Sequence, residues 1–521
     1  MRHIIFLFSQ AKGIERTQKG KTQLFGHIDF DDLSSKKDIL PEIDELSKKG
    51  SFAVIVEKED AVELAVDCFR MIPLFYHVNR DSIYISDNAD LIAKQIHTRI
   101  IEDNLRELYY MQCVTESNET IYKDIFIVNA GTAVSISREN GSIDIEKYYE
   151  PIYNFSSTDS VEDLIEEYDS VLMDAFLRLT EKLNGRAILV PLSKGFDSRT
   201  VATMLKRVGY DNVYCFSYGV PSSSECAISK QVAENLGYPW LYTEYSGKVW
   251  KNFYESKDYT DFIKFSCKGV SIGCLQALPA ILNIARQNLV PEDAIVTPGQ
   301  TDVAFGTNIR DTKEGIYTRE DMFNWVGDQY YSQIGGKKFL RKRTWIHSLP
   351  QMMSLKEYSM EYMKWNLTER QPGFLINDVR TYEYAGYGFD LPLLDRVVMN
   401  FWYKVPLNLL YKRTFQIMHI CAKIDSVTKI PSKLSELNKQ NLTQMIKLAI
   451  KTCFPSLTAR IQQNRRLKEY DTNENAFYSF MPRDRYKDYL NKYGNAFTLN
   501  TMVAEDYEKI VRNNLHSYIN S

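Results

Sequence analysis

Eight residues, Leu192-Ser193-Lys194-Gly195-Phe196-Asp197-Ser198-Arg199, gather two hydroxyls, a glycine and a carboxylate where the chain turns from one element into the next. They follow the apolar run Ala187-Ile188-Leu189-Val190, which reads as a buried strand, and precede Val201, Ala202, Met204, Leu205 and Val208, spaced as a helix. Strand, short loop and helix start together make a cradle for phosphate, because the free N–H groups of the first turn and the helix dipole both favour an anion. Gly195 lets backbone approach the anion without a Cβ, Ser193 and Ser198 offer hydroxyl hydrogens, and Asp197 is a candidate ligand for the magnesium that travels with a nucleotide. On this stretch alone, the competing reading is an ordinary strand-to-helix turn with a serine cap.

The elements around the loop define what must hold it. Ser160 and Asp163 are spaced as a capping box, and Val161, Leu164, Ile165, Tyr168, Val171, Leu172, Phe176 and Leu179 then share one helical face. From there the pattern alternates: strand 187–192, helix 199–208, strand 213–218, helix 225–236, strand 240–244, helix about 274–288, strand 294–297. Such alternation predicts a parallel sheet with ligands at the carboxyl ends of its strands, where the loop sits. From about 310 onward the chain reads as mostly helical with lysine-rich loops, and the basic run Lys337–Arg343 reads as solvated surface.

Residues 1 to about 150 read differently. Ile4–Phe8, Ser51–Val56, Ala61–Val66, Leu74–Val78, Ser82–Ser86, Ile125–Val128 and Thr132–Ile136 are short, β-branched or aromatic runs separated by turn residues, with helical stretches at Ser35–Lys49 and Ala89–Tyr110. Pro151, Asn154 and the Ser156-Ser157-Thr158 run mark a boundary near Tyr149–Ser157. The expected architecture is an α+β domain of antiparallel sheets over 1–150, followed over 158–521 by an α/β domain with a parallel sheet and a helical C-terminal extension.

Composition excludes several functions. Hydrophobic residues make up 44% and charged ones 25% of 521 residues, as in globular proteins with large cores. A net charge of -3 gives no general nucleic-acid surface. No apolar run reaches the roughly 20 residues of a membrane helix, and Ile4-Ile5-Phe6-Leu7-Phe8 is too short for a secretory signal, so a cytoplasmic protein is expected. The eight cysteines include no C-x-x-C pair and read as reduced thiols, and the histidines show no zinc spacing with them.

Ser193-Lys194-Gly195-Phe196-Asp197-Ser198 resembles the S-G-G-x-D-S pyrophosphate loop of ATP pyrophosphatases, in particular that of the asparagine synthetase family. Cys215-Phe216-Ser217-Tyr218-Gly219 resembles the family's second strand, Thr297–Gly306 its G-x-G-x-D-E-x-F-G segment, and Leu391-Pro392-Leu393-Leu394-Asp395 its P-F-L-D element. In the first half, Asp67–Tyr76 has the spacing of D-R-F-G-x-x-P-L-Y-Y in class II glutamine amidotransferase domains, with Ile85-Ser86-Asp87 and Ile121–Ile125 fitting later landmarks. The resemblance covers about 50 to 400 in patches. It implies an N-terminal-nucleophile-hydrolase-like first domain and an adenine-nucleotide-α-hydrolase-like second one.

What the resemblance implies for chemistry is activation of a carboxylate by ATP as an acyl-adenylate, then displacement of AMP by an amine. On that reading Ser193, Gly195, Phe196, Asp197 and Ser198 hold pyrophosphate, with Lys194 as an extra cation. Leu192, Ser217, Tyr218 and Gly219 hold adenosine, Gly299 and Gln300 line the nucleotide, and Asp197 and Asp302 hold Mg2+. Glu383 is a candidate base and Lys468 a candidate late lysine, both by position only, with Lys412-Arg413 as another possibility. The acid could be aspartate, a uronic-acid sugar or a peptide carboxylate, and a homodimer is the oligomeric state left open.

Three departures matter. Family amidotransferase domains use an amino-terminal cysteine, whereas here Met1 precedes Arg2 and the first cysteine is Cys68, so loss of glutaminase activity is expected and ammonia or another amine must serve. Lys194 replaces a loop glycine, and Val303 stands where the family usually has glutamate. These leave two expectations side by side: an ATP-dependent amide-forming ligase, or a catalytically silent nucleotide-binding or scaffold homologue.

Overall fold

The computed structural model describes residues 1–9, 16–26, 43–110, 114–115, 117–299, 306, 309, 313–331, 340–341, 343–432, 464–468, 470, 472–473, 481–493 and 498–519. Strands β1 (His3–Leu7), β2 (Arg16–Lys19), β3 (Thr22–Gly26), β4 (Phe52–Glu57), β5 (Ala61–Val66), β6 (Phe75–Val78), β7 (Ser82–Ser86), β8 (Phe126–Ile127), β9 (Thr132–Ser137) and β10 (Ile143–Lys147) build the first half. They form a six-stranded sheet in the order β10-β9-β5-β4-β3-β2 and a four-stranded sheet in the order β1-β7-β6-β8. All pairings are antiparallel except β1 with β7, which run parallel from His3↔Ser82 to Leu7↔Ser86.

The alternation of β4 shows why these sheets stack. Ala53 and Ile55 point to a core shared with Val62, Leu64, Val66, Tyr76, Ile83 and Ile85 between the two sheets. Phe52, Val54 and Val56 point the other way, onto Ile43 and Leu46 of helix α1 (Ile43–Leu46). Both faces are thus buried, which is why Phe52–Val56 is continuously apolar. Helix α2 (Ala89–Ile96) is followed by α3 (Glu102–Tyr110), so the single helix expected over Ala89–Tyr110 is broken where His97 takes φ 51°.

The second half opens with α4 (Val161–Leu183), where Ser160 Oγ accepts from the Asp163 N–H at 3.1 Å. Asp163 takes the Ser160 hydroxyl at 2.7 Å, so the predicted capping pair exists through side chains. Strand β11 (Ile188–Pro191), helix α5 (Phe196–Arg207), β12 (Val213–Gly219), α6 (Ser224–Leu236) and β13 (Trp240–Glu244) follow. Next come α7 (Gly247–Tyr254), α8 (Lys257–Cys267), α9 (Leu278–Arg286) and β14 (Ile295–Val296). Two short strands, β15 (Ile316–Thr318) and β16 (Met352–Ser354), pair separately, with α10 (Arg319–Tyr330) between them, and β17 (Gly388–Phe389) completes the main sheet.

That main sheet is fully parallel in the order β13-β12-β11-β14-β17. Its central strand β11 presents Ile188, Leu189 and Val190 fully buried, and Pro191 ends it where a missing N–H costs the ladder nothing. The helix Leu499–Ile519 returns to the first half, where the Tyr507 hydroxyl donates to Asp90 Oδ1 at 2.7 Å and accepts the Gly269 N–H at 2.7 Å. No described helix is long and apolar enough to cross a membrane.

Candidate functional site

The loop Leu192–Gly195 lies at the carboxyl end of β11, between its neighbours β12 and β14. Leu192 is buried and its N–H donates to Phe216 O at 2.9 Å, which carries the strand one residue past Pro191. The loop then folds on its own hydroxyls. Ser198 Oγ accepts the Ser193 N–H at 3.0 Å, Ser193 Oγ accepts the Gly195 N–H at 3.0 Å, and the two hydroxyls lie 3.0 Å apart. Gly195 is the N-cap of α5 and gives it no side-chain cap, whereas α4, α6 and α7 are each capped by a serine. Its φ of -65° is ordinary, so space rather than conformation explains a glycine there. The turn is therefore not the ordinary serine-capped one that the loop sequence alone allowed.

Gly299 is required by packing: a Cβ there would lie 2.6 Å from both Asp197 C and Ser198 N. Its neighbour Thr297, at the end of β14, is fully buried with a hydroxyl that meets no hydrogen-bond partner. Gly306, with φ 79°, stands equally close to Leu410, where a Cβ would be 2.8 Å from the Leu410 carbonyl carbon. Gln300, Asp302 and Val303, between these two glycines, lie outside the described residues, so the second predicted magnesium ligand has no described position.

Asp197 departs from its predicted role. Its Oδ1 accepts from Arg413 Nη2 at 2.5 Å and from Gln416 Nε2 at 2.5 Å, and Gln416 Oε1 in turn accepts from Arg413 Nε at 2.5 Å. The helix Thr414–His419 carrying Gln416 is anchored on α4 by His419 Nε2, 3.2 Å from Asp169 Oδ1. Asp169 is held on its other side by Arg207 through two contacts of 2.6 Å. These charge-assisted bonds, mainly those from Arg207, hold the Asp169 carboxyl well below the usual carboxylate range against burial that raises it. Burial in turn lowers the His419 imidazole below its usual value.

The described donors do not fit a magnesium ion at Asp197. An oxygen already shared by a guanidinium and an amide is a poor ligand for a hard cation that needs a near-octahedral oxygen shell. Among the described residues no group of three or more His, Cys, Asp or Glu side chains could hold a metal. Lys194 is exposed, its Nζ 3.4 Å from Ser224 Oγ at the start of α6. Phe196 lies between two cations, with Arg199 Cζ 5.3 Å and Arg413 Cζ 5.7 Å from its ring.

The predicted adenosine contacts are largely engaged elsewhere. Ser217 Oγ donates to Leu192 O at 2.6 Å, sits 2.7 Å from Ser229 Oγ and accepts from Trp240 Nε1 at 3.1 Å, so its capacity is used within the sheet. The Tyr218 ring stacks on Tyr245 at 5.0 Å and its carbonyl accepts from the Cys226 thiol at 3.3 Å. The Gly219 carbonyl accepts from the Tyr242 hydroxyl at 2.6 Å and the Tyr245 N–H at 2.8 Å. These residues form the wall beside the loop rather than free partners for a base.

Glu383 is likewise corrected. It is 1% exposed, both its oxygens accept from Arg380 Nη1 at 2.6 Å, and Arg380 Nη2 donates to the Met71 carbonyl in the first half. A carboxylate so enclosed is a structural anchor between the halves and does not reach a substrate. Lys468 is exposed on the helical segment 464–468, and no described contact joins it to the loop. Arg413 was signalled by the Lys412-Arg413 pair; Gln416 carried no signal in the sequence.

Cys68 lies buried, its thiol pushed up to about 12 by burial, so it is a poor nucleophile. No disulfide joins the described cysteines. Comparison with models of known protein families finds no match to this chain, and comparison with curated proteins finds none either.

Proposed function

We propose that the loop Ser193–Ser198 binds the phosphates of an adenine nucleotide, and that the chain is an asparagine-synthetase-like carbon–nitrogen ligase. The observation that supports this best is the loop's place: the carboxyl end of the central strand of a five-stranded parallel sheet, leading into a helix whose N-cap supplies no side-chain oxygen. A doubly wound reading of the second half as adenine-nucleotide-α-hydrolase-like, and of the two stacked sheets as N-terminal-nucleophile-hydrolase-like, accords with that assignment.

In this reaction a substrate carboxylate oxygen attacks the α-phosphorus of ATP and pyrophosphate leaves. An amine nitrogen then attacks the acyl carbon, loses a proton, and AMP leaves with the oxygen. The chain's part is to hold the leaving pyrophosphate with first-turn N–H groups of α5 and with the Lys194 and Arg413 cations. The buried, hard-to-ionise Cys68 thiol is a poor nucleophile, which supports an amine other than one released by that thiol from glutamine.

A second reading, a silent nucleotide-binding or scaffold homologue, is favoured by the neutralisation of Asp197 and the structural use of Glu383. Calorimetry with ATP, beside an assay of AMP and pyrophosphate release with ammonia and a panel of carboxylic acids, separates the two. Binding with acid-dependent AMP release supports the ligase; binding without it supports the silent homologue. Absence of ATP binding refutes both.

A further inference from the structure

We propose that the Arg413 guanidinium takes the place of a divalent ion at Asp197, so that pyrophosphate groups bind the loop without metal. This rests on the reading that the loop is a phosphate site, and it adds what supplies the positive charge there.

Arg413 is not a surface arginine that happens to touch a carboxylate. Gln416 bridges the pair, donating to Asp197 Oδ1 and accepting from Arg413 Nε, each at 2.5 Å, so the guanidinium's orientation is fixed from two sides. The backbone that delivers it is unusual. Lys412 and Arg413 both take left-handed conformations, φ 54° and 62°, which costs a non-glycine residue roughly 1–2 kcal/mol. Two such residues in succession persist only where surrounding structure over-determines them, a pattern that clusters at ligand clamps. Here the over-determination comes from Asp197 and Gln416 on one side and, on the other, from the Leu410 backbone pressed against Gly306.

Position and charge agree. Asp197 is the second helical residue of α5, and Arg413 Cζ lies 5.7 Å from the ring of Phe196, the first. The cation is therefore fixed at the helix N-terminus, where an anion would arrive. The Arg413 side chain is one-fifth exposed, so it is reachable from solvent. Arg413 balances Asp197, Lys194 adds a positive charge beside the loop, and among the described residues no group of three or more His, Cys, Asp or Glu side chains could hold a dication. Arginine also matches phosphate geometry with a planar fork, which a point-charge ion does not.

The test measures binding of inorganic pyrophosphate and of ATP to the full chain in EDTA and in magnesium. The expected result is pyrophosphate binding in EDTA that magnesium does not strengthen. Arg413→Gln should weaken that binding about tenfold or more, as loss of a charge-assisted bond does, while Arg413→Lys recovers part of it. Asp197→Asn carries the sharper sign: it should leave pyrophosphate binding in EDTA intact or tighten it, because it removes a negative charge from an anion site. A metal ligand would behave oppositely, so binding that requires magnesium and is lost in Asp197→Asn overturns the proposal. Pyrophosphate bound without ATP sinks the nucleotide reading and leaves Arg413's role standing; neither ligand bound sinks both.

Discussion

Removing Glu383 should cost stability rather than chemistry. Its carboxylate is held by Arg380 through two contacts of 2.6 Å in a place where both side chains are at most 1% exposed. Lys268, also buried, has an Nζ that meets no hydrogen-bond partner and feels the charge of Asp87 first, then those of Glu383 and Asp90. Glu383→Ala thus leaves the buried Arg380 guanidinium without its carboxylate and takes from Lys268 one of three carboxylates, the other two being Asp87 and Asp90. Breaking a buried pair from one side costs about 3–5 kcal/mol, or roughly two to nearly four orders of magnitude in the folding equilibrium. The double variant Arg380→Met/Glu383→Leu should recover much of this, because no orphan guanidinium or carboxylate then remains. About 1–3 kcal/mol stays lost, since the Met71 carbonyl loses the donor that ties the halves together. Urea unfolding of the wild type, both single variants and the double variant gives the coupling directly. A Glu383→Ala cost below about 1 kcal/mol, or full stability with acid-dependent AMP release abolished, would refute this reasoning and return Glu383 to the chemistry.

Gly299→Ala places a Cβ 2.6 Å from backbone on both sides of the Asp197–Ser198 peptide, so the loop must shift; pyrophosphate binding measured by calorimetry should fall about tenfold or more, with a destabilisation of about 1–3 kcal/mol in urea. Asp67 is buried and accepts N–H groups from Phe52, Phe69 and Met71, and burial raises its pKa from 3.8 to about 6. The folded state therefore holds that proton more tightly than the unfolded one. Its stabilising share is complete below 3.8 and is lost as pH rises through about 6, by up to about 1.4 kcal/mol per pH unit between them. Asp67→Asn should flatten that part of the stability profile, and an unchanged slope would contradict the assignment. Tyr507→Phe leaves the buried Gly269 N–H without its acceptor and should cost about 1–3 kcal/mol, read as a lowered urea midpoint.

Where the sequence was legible, a single face or a single run carried the signal. The strands β5 and β7 and the alternation from β11 to β14 follow from buried β-branched residues bounded by turn residues. Both edge strands expose every residue: β2, RTQK, is polar throughout, and β10, IDIEK, alternates over only four residues without burying its isoleucines. β17 is two residues long and owes its place to pairing with β14. The break in Ala89–Tyr110 depends on a left-handed histidine, a conformation that residue type does not announce. Helices α7 and α8 are short and aromatic, built on Trp250, Phe253, Tyr259 and Phe262, types with middling helix propensity that tertiary packing decides.

The site divides along the same line. A loop between a buried strand and a helix is a local property, and Leu192–Ser198 has the predicted placement. Its electrostatics are not local, because Arg413 and Gln416 arrive from more than two hundred residues downstream and turn a predicted metal ligand into half of an ion pair. The two departures visible in the sequence point the same way once that pair is known. Lysine for glycine at 194 adds a positive charge, and valine for glutamate at 303 removes a negative one. Under the resemblance read from the sequence, both changes favour an anion over a dication. On the proposed reading of the loop as a phosphate site, the lysine at 194 is a second cation beside Arg413 rather than a lost glycine.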